Sequence, residues 1–568
     1  MVAAEGNGSG GCAACVSPVA QVIRGRWFML FASFLIMTAA GATYLFGVYS
    51  KDVKSALGYD QTTLNLLGFA KDLGANVGVI SGLLAEVAPT WTVLLLGSAL
   101  NFAGYFMLWL AVTAKIPRPR LWHMCAYICM GANSQNFANT GALVACVQNF
   151  PDSRGVVLGL LKGFVGLSGA ILTQIYLALY DHDSKSLILL LAWLPAAVSV
   201  IFVYTIRTLD ASTRRSHHAG DDFRVMYRFL YASIILALFL MAVTIAQKLA
   251  DFPRSAYAAC ATGVCALLFL PLAIAAREEL APQRNPIVES RPPVSPEIKS
   301  GAEREESSGR RGRPRRGEDH TILEALTSAD MAILFVATFC GLGTSLTAVD
   351  NLGQIGESQG YPSRAVSTFV SLVSIWNYFG RVSAGFVSEA LLARRGVARP
   401  LVMAAALVLS AAGQLMIAFP APGAVYAASV IIGFSFGAQL PLVFAVISEL
   451  FGLRHFSTLF NCGQLASPLG SYVLSVQVTG RLYDREARRM GAGEGGEVIC
   501  RGRRCYRTAF VILAGVTVFG AAAAAVLGRR TREFYRGDVY GRFRQGNEVR
   551  EKAAEMGGDG GAAATSSA

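Results

Sequence analysis

Apolar windows long enough to cross a lipid bilayer recur along this chain. The hydrocarbon core is about 30 Å thick and takes about 20 mostly apolar residues in a helix to cross, because lipid offers the backbone no hydrogen-bond partners. About fourteen such windows occur, with six in the first half, a central pair and six in the second half. The windows run over residues 27–49, 63–86, 91–113, 121–147, 155–179, 187–206, 226–248, 255–276, 331–350, 365–389, 400–419, 423–449, 457–478 and 507–528. They predict an all-α integral membrane protein.

Two of these windows end in matching sequences. Gly82-Leu83-Leu84-Ala85-Glu86 ends the second window of the first run, and Gly385-Phe386-Val387-Ser388-Glu389 ends the second window of the last run, 303 residues later. The repetition predicts two related six-helix halves, an arrangement typical of transporters. The composition agrees, since 53% of the residues are hydrophobic, 15% are charged and the mean hydropathy is +0.45, values that exclude a soluble domain of this length.

The windows divide the chain into six segments. They are an N-terminal tail (1–26), the first six-helix half (27–206), a central helix pair (207–276), a loop (277–330), the second six-helix half (331–528) and a C-terminal tail (529–568). An even number of spans puts both termini on one side of the membrane, and the arginines that flank the spans predict that this side is the cytosol. One predicted outer loop, 479–506, is also rich in arginine and argues against this orientation.

The loop between the halves is polar and contains the run Arg310-Arg311-Gly312-Arg313-Pro314-Arg315-Arg316. Its composition predicts a disordered cytosolic tether, while contact with anionic lipid headgroups and control by phosphorylation stay open as alternatives. The net charge of +13 comes largely from such exposed segments, so it does not indicate a nucleic-acid partner. The sequence predicts the lipid bilayer itself as a partner.

The cysteines and histidines give little sign of chemistry. Cys500 and Cys505 lie in the predicted outer loop, where they either form a disulfide in an oxidising compartment or stay free. No histidine joins them, so we predict no metal site. The six histidines form no His-Glu-x-x-His pair, and no Gly-rich phosphate loop occurs that would bind ATP. The sequence therefore favours neither an enzyme nor a pump, and it predicts no cofactor.

Short motifs along the chain together resemble one known family. In the first half they are Arg26-Trp27, Gly41-Ala42-Thr43-Tyr44-Leu45-Phe46, Tyr49-Ser50, Lys71-Asp72-Leu73-Gly74, Asn149-Phe150-Pro151-Asp152-Ser153-Arg154-Gly155 and Leu161-Lys162-Gly163-Phe164-Val165-Gly166-Leu167-Ser168-Gly169-Ala170. In the second half they are Val349-Asp350-Asn351-Leu352-Gly353-Gln354-Ile355-Gly356, Trp376-Asn377-Tyr378-Phe379-Gly380-Arg381, Ser448-Glu449-Leu450-Phe451-Gly452 and Ser467-Pro468-Leu469-Gly470-Ser471-Tyr472. These motifs resemble the plant nodulin-like branch of the major facilitator superfamily and its group related to "nuclear fusion defective 4". The resemblance implies the major facilitator fold, and it links the substrate only to a distant likeness to bacterial oxalate and formate exchangers.

The two matched glutamates are candidate gating residues. Superfamily members usually follow the second helix with Gly-x-x-x-Asp-Arg-x-Gly-Arg-Arg, whereas Glu86 is followed by Val87-Ala88-Pro89 and Glu389 by residues nearer the pattern, Arg394-Arg395-Gly396. An acidic group at a helix end can pair with an arginine and latch one conformation, although ordinary exposure to the cytosol is the alternative for both. We group Arg154, from the motif that precedes the fifth span, with these candidates.

Charged residues inside the predicted spans are candidates for the mechanism, because each is costly in lipid unless it is paired or hydrated. Lys162 lies about 10 Å into the fifth span at ~1.5 Å per residue, and it either binds an anion, snorkels to the surface or forms an ion pair. Lys71 and Asp72 point about 100° apart on a helix and are not expected to pair with each other. Asp72 is either a protonatable coupling group or a structural partner. Arg381 either faces the cavity or pairs with Glu389.

Uncharged polar residues concentrate in the fourth span, which predicts a helix that lines the pore. Hydrogen bonds between helices are the alternative. Its polar residues are Asn133, Ser134, Gln135, Asn136, Asn139 and Thr140. The family resemblance implies that the first and fourth helices of each half surround the cavity, which adds Tyr44, Thr344, Thr347 and Gln439 to Asn136 and Asn139 as candidate substrate contacts.

These features favour a secondary transporter that exposes one midplane site alternately to each side of the membrane. The cationic residues in the spans favour a small organic anion, such as a carboxylate, moved with or against H+. A membrane sensor or assembly factor that keeps the fold without transporting is the alternative. Plasma and vacuolar membranes are not distinguished.

Overall fold

The structure is a computed structural model in which residues 18–59, 61–180, 183–209, 219–249, 252–280, 314–361, 363–489, 500 and 502–537 are described. The described part is all-α. Most of the predicted loop, including the start of its basic run, lies outside the described residues, as do the first 17 residues and the chain after residue 537.

The first half of the chain forms one helical bundle. Short α1 (Pro18–Arg24) precedes it, and the bundle contains α2 (Arg26–Ala39), α3 (Phe46–Leu57), α4 (Gln61–Asn76), α5 (Val79–Val87), α6 (Thr90–Val112), α7 (Leu121–Asn149), α8 (Arg154–Tyr180) and α9 (Ser184–Ile201). A 3₁₀ turn at Ala42–Leu45 joins α2 to α3, and the break between α4 and α5 divides the second span.

The central pair and the second bundle follow. The pair is α10 (Ala219–Leu249) and α11 (Arg254–Leu280), and short α12 (Ile322–Leu326) precedes the second bundle. That bundle contains α13 (Ala329–Ser358), α14 (Ser363–Arg395), α15 (Arg399–Ala418), α16 (Ala424–Leu450), α17 (Phe456–Gln464), α18 (Ala466–Ser471), a π-helix (Tyr472–Gly480), α19 (Arg481–Arg489) and α20 (Arg504–Arg530), followed by α21 (Arg532–Arg536).

The described residues contain nine helices that are long and apolar enough to cross a membrane. The remaining predicted spans fall below that criterion for visible reasons. The second is broken, the sixth is apolar only over Lys185–Ile201, the fourth and tenth carry many polar side chains, and the thirteenth is divided among α17, α18 and the π-helix. A multi-pass membrane protein is therefore confirmed, and the number fourteen stays a prediction.

The break in the second span explains the polar residues of the fourth. A helix that stops inside a membrane leaves carbonyl groups without partners. Three amides of α7 supply them, because Asn133 donates to the carbonyls of Gly74 and Val77 at 2.9 and 2.7 Å, Gln135 donates to Ala75 at 3.1 Å, and Asn136 donates to Gly74 at 2.9 Å. These side chains stabilise the broken helix. They do so through hydrogen bonds between helices, which is the alternative to pore lining that the sequence allows.

The two halves meet along two seams. In the first seam α5 packs on α17, where a Cβ atom on Gly82 would lie 2.7 Å from the carbonyl oxygen of Ser457. In the second seam α8 packs on α14, and a Cβ atom on Gly159 would lie 2.9 Å from the Cα atom of Gly385. Glycine at these positions lets the backbones approach closely.

The central pair packs beside the second seam and contacts both halves. Arg26 at the start of α2 forms a buried ion pair with Asp222 of α10. On the other half, the hydroxyl of Tyr378 donates to the hydroxyl of Ser233 at 2.8 Å. The pair therefore joins the second half directly as well as through the chain.

The end of the predicted loop is ordered. Residues 314–330 pack against the second half, where the backbone N–H groups of Gly317 and His320 donate to the carbonyls of Leu450 and Phe451. Thr321 and Glu324 then form a capping box that begins α12. The prediction of a disordered loop over 277–330 therefore extends too far toward the second half, because charge composition does not reveal these backbone contacts.

Candidate functional site

Two buried cations from different halves meet near the middle of the second seam. Lys162 of α8 is 4% exposed, and its Nζ atom donates to Asn139 Oδ1 at 3.2 Å and lies 4.9 Å from the ring centre of Phe444. Arg381 of α14 is 1% exposed, and its Nη1 atom donates to the carbonyl of Lys162 at 2.7 Å. Its Nη2 atom donates to the hydroxyl of Tyr44 at 3.1 Å.

Neither cation forms an ion pair with a carboxylate among the described residues. The two are close enough to repel each other electrostatically, and Arg381 Nε is buried with no hydrogen-bond partner among the residues that the structure describes. Tyr44 beside them is 54% exposed, so the solvent-accessible space reaches the edge of the cluster. The arrangement is a buried, positively charged cluster with an exposed edge, which fits an anion.

The second seam is closed at one end by a buried ionic network. Arg399 donates to Glu389 at 2.7 Å and to Glu449 at 2.6 Å, and all three side chains are at most 1% exposed. Glu389 also accepts the backbone N–H of Gly155 at 3.2 Å, which ties the network to the first half. Arg154 adds a second tie by donating to the carbonyl of Ser448 at 3.2 Å.

The first seam is closed at the same end through Glu86. Its carboxylate accepts from Nδ1 of His455 at 2.6 Å and from the hydroxyl of Thr458. Farther along the seam, Asn461 Nδ2 donates to the hydroxyl of Thr140 at 3.0 Å. Although the arginines typical of the superfamily are missing after Glu86, this glutamate still joins the two halves.

Charged residues surround the other end of the space between the halves. Lys71 and Asp72 of α4 form an ion pair at 2.7 Å, and Asp72 is exposed. Asp350 of α13 is also exposed and is close enough to both residues to interact with them electrostatically. We call these three residues the vestibule cluster. The prediction that Lys71 and Asp72 do not pair is wrong, because the long lysine side chain bends back although the Cβ atoms diverge.

The sequence matches two family domains. Residues 26–276 match the Nodulin-like domain, and residues 319–537 match the NFD4 C-terminal domain. The chain is 25% identical over 532 residues to Protein NUCLEAR FUSION DEFECTIVE 4 from Arabidopsis thaliana, covering 90% of this chain and 89% of the relative. This chain carries a Nodulin-like domain followed by an NFD4 C-terminal domain. The resemblance noted in the sequence motifs is thereby confirmed.

Two further proteins are similar to this nodulin-like protein. It is 27% identical over 221 residues to Probable transporter MCH1 from Yarrowia lipolytica, covering 36% of this chain and 44% of the relative. A double tryptophan mutant of XylE superposes with a TM-score of 0.52 at 11% identity, over 88% of this chain and 98% of the other. At that identity the structural likeness establishes the major facilitator fold alone, and it confirms the predicted fold class.

The nodulin-like protein brings only some of the predicted site residues together. Lys162, Arg381, Tyr44 and Asn139 form the cluster, while Asn136 is used by the helix break. Gln439 is fully buried inside the second half, where its Nε2 atom donates to the hydroxyl of Ser345 at 3.3 Å and to the carbonyl of Ser435 at 3.1 Å. Cys500 and Cys505 form a disulfide beside α20.

Sequence reasoning missed several residues of the closed end, the cation cluster and the vestibule cluster. They are Arg399, Glu449, His455, Thr458, Asp350 and Phe444. Glu449 and Asp350 stand in motifs that carry the family resemblance, and a charge inside a motif was an available signal. His455 gave no such signal, since its importance comes from a partner 369 residues away.

Proposed function

We propose that this nodulin-like protein is a secondary transporter for a small organic anion, most simply a carboxylate. The observation that carries the proposal is the proximity of Lys162 and Arg381 across the second seam, where neither forms an ion pair with a carboxylate of the part of the chain that the structure describes. Two buried cations that repel each other are unfavourable unless an anion joins them. A bound carboxylate would offset one of the two positive charges, reduce their repulsion and accept a hydrogen bond from Arg381 Nε.

The shape of the cluster supports a small substrate. Phe444 and Asn139 occupy one side of Lys162, and Arg381 already uses two guanidinium nitrogens on Lys162 and Tyr44. One charged group of the substrate would therefore contact Lys162 Nζ and Arg381 Nε, with the Tyr44 hydroxyl at the exposed edge. The fully buried side chains beneath leave little room for a bulky substrate body.

Alternating access follows from the difference between the two ends. The end that holds Glu86 and Glu389 is closed, and the end that holds the vestibule cluster carries exposed polar residues. The arginines near the closed end favour a cytosolic position for it, and the described parts of both termini lie there, with Gly25 beside Glu279 and Gly396 beside Arg536. The structure then corresponds to an outward-facing state. The relative Probable transporter MCH1 and the proton:xylose symporter XylE fit a transport role.

Proton coupling is supported by the vestibule cluster. Asp72 and Asp350 share one lysine, Lys71, so the cluster carries an excess negative charge. Binding of a proton would remove that charge from the route that an incoming anion takes. We therefore assign the coupling role to Asp72 and Asp350 together.

The proposal is tested by uptake into liposomes that contain the purified protein. Labelled oxalate, malate and pyruvate would be compared with an amino acid and a sugar, with and without an inward proton gradient. We expect saturable carboxylate uptake that Lys162→Ala and Arg381→Ala abolish. Lys115→Ala is the matched control, because Lys115 is exposed and contacts only the ring of Trp109 among the described partners.

The gradient separates coupling from transport. Asp350→Asn should retain uptake down a carboxylate gradient and lose the stimulation by the proton gradient. Carboxylate uptake that survives Lys162→Ala in folded protein would contradict the binding site. Absence of uptake for every compound would favour a non-transporting sensor.

A further inference from the structure

The latch of the first seam is built on a titratable residue. Glu86 and His455 come from different halves, their side chains are 12% and 21% exposed, and Nδ1 of His455 lies 2.6 Å from Glu86 Oε2. Solvent protons can therefore reach the pair without opening the protein. The latch of the second seam uses Arg399 instead, which stays protonated at every physiological pH. The two seams thus differ in their expected response to pH.

We infer that His455 makes closure of the cytosolic end respond to cytosolic pH. The inference rests on the alternating-access transport proposed above. A protonated His455 gives a charge-assisted hydrogen bond to the Glu86 carboxylate, whereas a neutral imidazole gives an ordinary one. Lower cytosolic pH therefore favours the closed, outward-facing state, and higher pH releases the first seam.

The other ionisable groups around the pair are acidic side chains, arginines and one cysteine. On the first half, α5, α6 and α7 bring no further Asp, Glu, Lys or Arg side chain to this end among their described residues. On the second half, Cys462 interacts electrostatically with Glu86 from α17. At this end, the remaining charged groups among the described residues of the packed elements and adjoining loops are Arg315, Arg316, Glu318, Asp319, Glu324, Asp330, Glu449 and Arg454. Acidic and arginine side chains ordinarily change charge far from neutral pH, and Glu449 is ion-paired with Arg399 in the second seam.

His320 is the matched control that the chain offers. It lies in the ordered loop near the same end, where its Nδ1 atom is 2.9 Å from the carbonyl oxygen of Glu318 and its ring is 5.3 Å from that of Phe451. Both contacts remain within the second half. Titration of His320 is therefore not expected to act on the contact between the halves.

The test measures opening directly, without substrate. Spin labels would be attached through unnatural amino acids at positions 87 and 323, since Val87 and Leu323 are 84% and 73% exposed on opposite sides of the first seam. Their distance distribution would be recorded in lipid nanodiscs between about pH 5.5 and 8.5, the range in which histidine changes charge. We expect the ratio of closed to open protein to fall about fivefold as the pH rises, because a charge-assisted hydrogen bond stabilises the closed state by about that factor more than a neutral one.

Three variants decide the outcome. His455→Gln should remove the pH dependence, His455→Arg should keep the seam closed across the range, and His320→Gln should behave as the wild type. A wild-type distance that does not change with pH, or the same change in His455→Gln, would overturn the inference. Should His455→Gln fail to fold, Glu86→Gln gives the same test. Without the Glu86 carboxylate, protonation of His455 no longer strengthens the contact between the halves. Failed carboxylate uptake with an intact pH response would reject the substrate and leave the latch standing.

Discussion

Removal of the Arg399 side chain should destabilise this protein more than loss of any exposed arginine. Arg399 is completely buried and donates to Glu389, Glu449 and Ser388 at 2.7, 2.6 and 2.6 Å. Arg399→Met leaves two carboxylates buried without their cation, and breaking a buried pair in this way costs about 3–5 kcal/mol. Arg395→Met is the matched control, because Arg395 is exposed on the adjacent turn and its loss should cost less than about 0.5 kcal/mol.

The free energy of unfolding would be measured by SDS titration in mixed micelles. The triple variant Arg399→Met, Glu389→Gln, Glu449→Gln removes the unpaired charges and should recover most of the loss, since buried ionic groups can be replaced by neutral ones at little net cost. Equal losses for Arg399→Met and Arg395→Met, or no recovery in the triple variant, would refute the reasoning. The buried network would then contribute no more than a surface charge.

Three further predictions follow from other contacts. Asn133→Leu should lower the free energy of unfolding by about 1–3 kcal/mol in the same titration, because the carbonyls of Gly74 and Val77 lose their donor. Gly159→Leu should prevent closure of the second seam, because a Cβ atom at this position would lie only 2.9 Å from Gly385 Cα. Distances between spin labels on the two sides of this seam should then lengthen. Asp222→Ala should destabilise the protein by about 3–5 kcal/mol, because Arg26 is left buried without its carboxylate, whereas Arg26→Met with Asp222→Asn should restore stability.

The broad architecture was predictable because lipid imposes a length and a composition on every span. The two matching sequences that end in Glu86 and Glu389 also identified two equivalent positions, and both lie at the closed end of the bundle. What sequence periodicity could not show was the break between α4 and α5. The glycines there are compatible with an unbroken packing face, and the contacts of Asn133, Gln135 and Asn136 show which groups satisfy the free carbonyls.

The site was predictable in its charges and not in its partners. Lys162 and Arg381 were recognisable because a cation is costly inside a span. Arg381 had two candidate environments, and the structure places it at Tyr44 and Lys162 while Arg399 occupies Glu389. Such a choice depends on rotation of α14 by a fraction of a turn, which a single sequence does not specify. Gln439 failed as a cavity residue for the same reason, since it faces the interior of its own half.

The location of the two cations explains how substrate binding could drive the change of state. Lys162 belongs to the first half and Arg381 to the second, so their repulsion acts across the seam about which the halves would rock in the proposed transport cycle. An anion between them converts that repulsion into an attraction that both halves share. A ligand shifts an equilibrium only by its differential affinity for the two states, and a group that bridges the halves has such a difference built in. The exposed edge at Tyr44 is where closure would complete the binding site, so substrate binding and the proposed rocking of the halves would occur together.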